Sequence, residues 1–144
     1  MLDAPTVGTT LHSMANTTDF RALFVALTDA YYAMTPDDEL IVLEVSDGFL
    51  RAVDLTRAQI VGKGLFEVFN DADDADTRTM MKQQMKRVLQ TKVMEEVPRL
   101  RYTNHGEERF WRVQYIPVLD GQGDVSVLLL RCERLTGSEP TKVE

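Results

Sequence analysis

The chain has 144 residues, 44% hydrophobic and 27% charged, which suits one globular domain with a real core and excludes a disordered or fibrous chain. A net charge of −7 opposes contact with nucleic-acid phosphates or an anionic membrane surface, because both need a basic stripe. No apolar run approaches the roughly 20 residues that cross a bilayer, the opening MLDAPTVGTTLHSM has no basic or apolar signal region, and the single cysteine forbids an internal disulfide, so a reducing cytoplasm is expected.

Residues 1–16 are small, polar and aperiodic, and are expected to form a flexible leader in which His12 is an exposed loop residue. Thr17, Thr18 and Asp19 offer N-cap oxygens. Phe20, Leu23, Phe24 and Leu27 follow at i, i+3, i+4 and i+7, one apolar stripe on a short helix. Ala30 to Met34 predicts a strand and Pro36-Asp37-Asp38 a turn. Leu40 to Val45 is β-branched and apolar, a second strand hairpinned to the first. Ser46-Asp47-Gly48 breaks it, and Phe49, Leu50, Val53 and Leu55 belong to a short helical stretch. Thr56 and Gln59 form a capping box, and Gly62-Lys63-Gly64 ends that turn with glycine suited to the left-handed position.

Leu65, Phe66, Val68 and Phe69 make an apolar cluster, followed by the acidic run Asn70 to Asp76. A calcium loop beginning at Asp71 would need glycine sixth and glutamate twelfth, where Asp76 and Lys82 stand. The run is therefore expected to be a solvated loop whose last aspartate, Asp76, caps the next helix. Thr77 to Gln90 predicts the longest helix, with Met80, Met81, Gln84, Met85, Val88 and Leu89 inward. Its methionines suit either a deformable core or a cavity wall that reshapes around a ligand. Val93 to Thr103 predicts a third strand, in which Pro98 requires an edge or a bulge. His105 is expected at the tip of an exposed turn.

In Glu108 to Glu133, Trp111, Val113 and Tyr115 alternate with Arg112 and Gln114, which marks a strand with one buried face. Asp120-Gly121-Gln122-Gly123 supplies a tight turn. Val125 to Leu130 is apolar on nearly every residue, so both faces of the sheet need cover there. The Phe20–Leu27 helix is the candidate cover for the outer face, within one chain or across a dimer. Residues 137–144 are a polar tail. The order of elements predicts an α+β domain over 17–136: a five-stranded antiparallel sheet with the short helices and one long helix on one face, and the N-terminal amphipathic helix on the other.

This order, with four groups of residues, resembles a PAS domain, the sensory module of bacterial histidine kinases and related signalling proteins. The resemblance covers Asp19 to Thr136. Its pieces are Asp29-Ala30-Tyr31-Tyr32 with Pro36-Asp37; Asp47 to Ala52; Arg57 to Lys63 with Leu65 to Phe69; and Trp111 with Pro117 to Gly121 and Gly123. The chain departs from the family pattern after the second strand, where Ser46 and Asp47 replace a common Asn. It departs again at the usual Asp-hydrophobic-Thr exit, where Arg134-Leu135-Thr136 stands. Eight residues follow Thr136 and carry no output helix, so a free-standing module or an output domain or kinase on another chain is expected.

The resemblance implies sensing or interaction rather than catalysis, and the chain is not expected to be an enzyme. A flavin site would need a Gly-x-Asn-Cys-Arg motif, which Gly64-Leu65-Phe66-Glu67 does not supply. A haem site would offer a histidine on the long helix, which has none. No cofactor is therefore expected, and a metal site is not expected either; Cys132 lies at the end of the last strand rather than on a loop that could tether a chromophore, and reads as a small buried residue. Two functions remain open. A sensing module would hold a small, mostly apolar ligand among Leu65, Phe69, Met81, Met85, Trp111, Val113 and Tyr115. Tyr115 either fills that space or offers its hydroxyl to the ligand. An interaction module would instead have a filled core and form a homodimer through Phe20, Leu23, Phe24, Leu27, Val127 and Leu129.

Overall fold

Two strands, a run of helices and three further strands follow one another as expected in the computed structural model, which describes residues 22–104 and 107–135. The leader with His12, Phe20, the turn residue His105, Thr136 and the tail lie outside the described residues. Helix α1 covers 22–26. It leads into β1 (Ala30–Met34) and β2 (Val42–Val45), then α2 (Asp47–Val53), α3 (Arg57–Ile60) and α4 (Leu65–Val68). A 3-10 turn (Ala72–Asp74) opens the long helix α5 (Ala75–Thr91), and β3 (Glu95–Asn104), β4 (Glu107–Leu119) and β5 (Val125–Leu135) complete the chain.

The five strands form one antiparallel sheet in the order β2-β1-β5-β4-β3. The last strand thus inserts between the two hairpins, and β1 meets β5 with Ala30 opposite Cys132 and Tyr32 opposite Leu130. Alternation decides the faces. Tyr32, Met34, Leu128, Leu130, Trp111, Val113 and Tyr115 are buried on the inner side, beneath α5 and the short helices. Pro98 falls on the edge strand β3, within a bulge between Val97 and Leu100, where a missing N–H costs no ladder bond.

On the outer face α1 packs at β1. Phe24 is buried, with its ring 6.4 Å from that of the outward-facing Tyr31. Leu23 nevertheless stays 69% exposed, and Leu27, Leu43 and Val118 are also exposed. Val127 and Leu129 are half-buried.

Ser46 explains how the chain manages without the expected Asn. Its hydroxyl accepts from the Tyr31 and Phe49 amides at 2.9 and 3.1 Å and donates to the Asp29 carbonyl at 2.8 Å. That fully buried group joins the start of β1 to the N-terminus of α2. Gly48 beside it donates its N–H to the Leu27 carbonyl at 3.0 Å, and any Cβ there would lie 2.1 Å from the Thr28 oxygen.

The acidic run departs from expectation. Asp74, not Asp76, takes the cap position of α5, and it is completely buried rather than solvated. Its carboxylate turns away from the helix and accepts the Thr103 N–H at 2.6 Å and hydroxyl at 3.1 Å, with the Arg101 guanidinium 3.5 Å away. Two directed hydrogen bonds to the edge strand hold the carboxylate more firmly than a single helix cap would.

Candidate functional site

Between the inner face of the sheet and the helices lies a cavity of about 60 Å³. Its floor is Tyr32 of β1, Cys132 of β5, Trp111 and Val113 of β4, and Leu100 of β3. The roof is Phe49 and Val53 of α2, Leu65 and Phe66 of α4, and Met81 of α5. Phe69, Tyr102 and Thr103 close one end. None of these side chains carries a charge at neutral pH, and the walls are mainly rings and aliphatic groups. A hollow of this kind holds neutral apolar matter in preference to water, which needs several polar partners.

The rings form a continuous series. Tyr32 lies 4.6 Å from Phe49, Phe49 meets Phe69 edge-on at 6.1 Å, and Phe69 meets Tyr102 edge-on at 6.2 Å. The Tyr102 hydroxyl donates to the Phe69 carbonyl at 2.7 Å, which ties β3 to the end of α4 across the mouth. The cavity therefore has an aromatic wall that crosses from β1 to β3.

Burial sets the chemistry of its polar atoms. The Cys132 thiol is pushed up to about 12 by burial and pairs with the Tyr32 hydroxyl, itself raised by burial and by the neighbouring thiol. A thiol so raised is almost wholly protonated at neutral pH and is a poor nucleophile. Burial likewise raises the Tyr102 hydroxyl to about 12. Among the described residues, no group of three or more His, Cys, Asp or Glu side chains is placed to hold a metal.

The sequence-derived ligand residues divide into two groups. Leu65, Phe69, Met81, Trp111 and Val113 come together around the cavity. Met85 and Tyr115 are completely buried in the adjoining core but do not line it. Tyr115 fills space in the core beneath β4, and its hydroxyl has no hydrogen-bond partner among the described residues. Cys132 was expected as a small buried residue and was not among the expected lining residues. It lies in the wall because β5 runs on to Leu135 and carries the inward alternation of Leu128 and Leu130 one step further. The same alternation, counted from Leu100, would have found Tyr102. Phe49 had a weaker signal, since a seven-residue helix fixes no face by period alone.

The proposed interface residues lie on the opposite side. Leu23, Leu27, Val127 and Leu129 share the outer face, Phe24 is already consumed by packing within the chain, and Phe20 falls outside the described residues. No described helix is long and apolar enough to cross a membrane.

Known structures share this architecture. A light-oxygen-voltage (LOV) protein of Rhodobacter sphaeroides superposes with a TM-score of 0.68 at 18% identity, covering 89% of this chain and 71% of that one. The PAS domain of Bordetella pertussis BvgS gives 0.68 at 21% identity over 89% and 92% of the two chains. The PAS domain of the fruit-fly ELK potassium channel gives 0.65 at 20% identity over 84% and 98%. These likenesses establish the fold. No curated protein matches. The sequence of residues 24–139 matches the family described as PAS fold, a span that includes the whole sheet and every wall of the cavity. By that match, and by the order in which its five strands assemble, the chain belongs to the PAS-fold family.

Proposed function

We propose that this PAS-fold chain is a sensory module that takes a small, uncharged, mostly apolar molecule into the cavity beneath its sheet. One observation carries the reading: an apolar hollow of about 60 Å³ whose lining includes no charged side chain. A hollow of that size suits a molecule much smaller than flavin or haem, and the raised Cys132 thiol is a poor nucleophile for tethering a chromophore. The protein acts without turnover and without a resident cofactor. Occupancy shifts the packing of the ring series from Tyr32 to Tyr102, and a change of packing is what a ligand that binds one state better can bias.

The outer face supports the second half of the reading, a homodimer in the cytoplasm that signals to an output partner such as a kinase. Leu23 at 69% exposed, with Leu27, Leu43 and Val118, leaves an apolar surface of the kind that a second copy covers. The competing reading is an interaction module with no ligand, and the Tyr115 ring, which fills core space, favours it.

One pair of measurements separates them. Protein purified from its native host is denatured and its supernatant analysed by mass spectrometry, while its mass in solution is measured with and without Leu23→Asp. A stoichiometric small molecule supports sensing. An empty supernatant, with a dimer that Leu23→Asp dissociates, supports the interaction module. Phe24→Asp is unsuitable, because Phe24 is buried within the protomer and its loss would unfold α1.

A further inference from the structure

We propose that the ligand is an amphiphile with a short apolar end and an uncharged, hydrogen-bonding head, and that Phe69 is the partition controlling its seating. The inference rests on the sensory reading above and adds the chemical class. Two hollows meet at this point. The apolar cavity of about 60 Å³ and an open cleft of about 510 Å³ share Phe69 and Thr103 as common wall. The cleft is of opposite character, edged by Gln59, Lys63, Glu67, Asn70 and Asp71. A wholly polar molecule would be rejected by the first hollow, and a wholly apolar one would leave the second unused.

The geometry of Phe69 suits a swinging partition. Its main chain is anchored on both sides. The amide donates to the Leu65 carbonyl at 3.0 Å, and the carbonyl accepts from the Tyr102 hydroxyl at 2.7 Å. The half-buried ring meets the rings of Phe49 and Tyr102 edge-on and borders both hollows. Rotation about its side-chain bonds joins the two hollows without moving the backbone.

Charge and hydrogen bonding select the head. Among the described residues the cleft holds one cation, Lys63, against the carboxylates of Glu67 and Asp71, in a chain of net charge −7, so an anionic head is repelled. The amides are half committed. Gln59 Oε1 accepts the Thr56 N–H at 2.8 Å, leaving its NH₂ as a donor. Asn70 Nδ2 donates to the Glu67 carbonyl at 3.1 Å, leaving its oxygen as an acceptor. One donor and one acceptor in the same cleft match a hydroxyl or a primary amide, each of which can both donate and accept. The cavity holds several times the roughly 10–15 Å³ that one water requires, which fits a short alkyl chain or a single ring.

Trp111, the only tryptophan, lies in the cavity wall and reports occupancy by its fluorescence. The test titrates the protein, with matching calorimetry, against 1-hexanol, hexanamide, hexanoate and benzene. The expected result is that hexanol and hexanamide bind at least tenfold tighter than hexanoate and than headless benzene. Asn70→Leu, an exposed substitution, should weaken hexanamide about fivefold and leave benzene unchanged. Phe69→Ala should speed hexanol association tenfold; should that variant not fold, the ligand series and Asn70→Leu decide alone. Hexanoate or benzene binding as tightly as hexanol, or hexanamide unaffected by Asn70→Leu, overturns the amphiphile and leaves the sensory reading standing. No response to any of the four overturns both.

Discussion

Replacing Tyr115 by phenylalanine should stabilise the protein. The ring is completely buried, and its hydroxyl has no partner among the described residues. A buried hydroxyl that has lost its water and gained nothing costs about 1–3 kcal/mol. Phenylalanine keeps the ring in the core it shares with Met85, Val88 and Leu130, and removes only the oxygen. The expected gain is therefore about 1 kcal/mol, with a rise in Tm of roughly 3–4 °C for a domain of this length. Urea unfolding followed by circular dichroism measures it, and the slope against urea should not change, since the surface exposed on unfolding is the same. A loss of about 1 kcal/mol in the variant would refute the reasoning, because it would mean that the hydroxyl makes a real hydrogen bond in solution. Tyr115→Leu supplies the contrast: it removes ring as well as oxygen and should cost about 2–4 kcal/mol through the void it leaves.

Three further outcomes follow from the structure. Gly48→Ala should cost about 3 kcal/mol or abolish folding, measured by the same urea titration, because its Cβ would lie 2.1 Å from the Thr28 carbonyl oxygen and 2.5 Å from that of Asp29. Asp74→Ala should cost about 2–4 kcal/mol by stranding the buried Thr103 N–H, and a double-mutant cycle with Thr103→Val should return a coupling of about 1 kcal/mol or more; additive losses would refute the link. Stability should fall as pH rises from about 9 towards 12. The folded protein keeps the Cys132 and Tyr102 protons up to about 12, whereas the unfolded chain releases them near 9.0 and 10.0, so over that window the unfolded state binds fewer protons and gains with pH. Cys132→Ala should flatten the first part of that decline, read from urea midpoints at each pH; an unchanged curve would show that the thiol titrates normally.

The strands were legible because their pattern is short-range. Trp111, Val113 and Tyr115 announce a buried face two residues at a time, and in the apolar run from Val125 onward Leu128 and Leu130 are buried inward while Val127 and Leu129 are half-buried outward. The Thr56–Gln59 box and the bulge at Pro98 are equally local and form where expected. What was not legible depends on residues far apart in sequence. Nothing in Asn70 to Asp76 says which carboxylate turns inward; that is decided by Thr103, 29 positions from Asp74. The cavity end formed by Phe69 and Tyr102 is likewise a contact across 33 positions. Tyr115 shows a different limit: its alternation fixed the face on which it lies but not whether its ring would border a void or plug one.

The sheet order has a consequence for how such a module can be wired into a larger polypeptide. The incoming strand β1 and the outgoing strand β5 are immediate neighbours, with Tyr31 opposite Arg131 and the Arg131 guanidinium 3.3 Å from the Asp29 carboxylate. Whatever precedes and follows them is thus delivered side by side, as the two conductors of a plug are. A host chain could accept the whole cassette with its own ends scarcely parted, and any shear between those two strands would be transmitted to both flanks together.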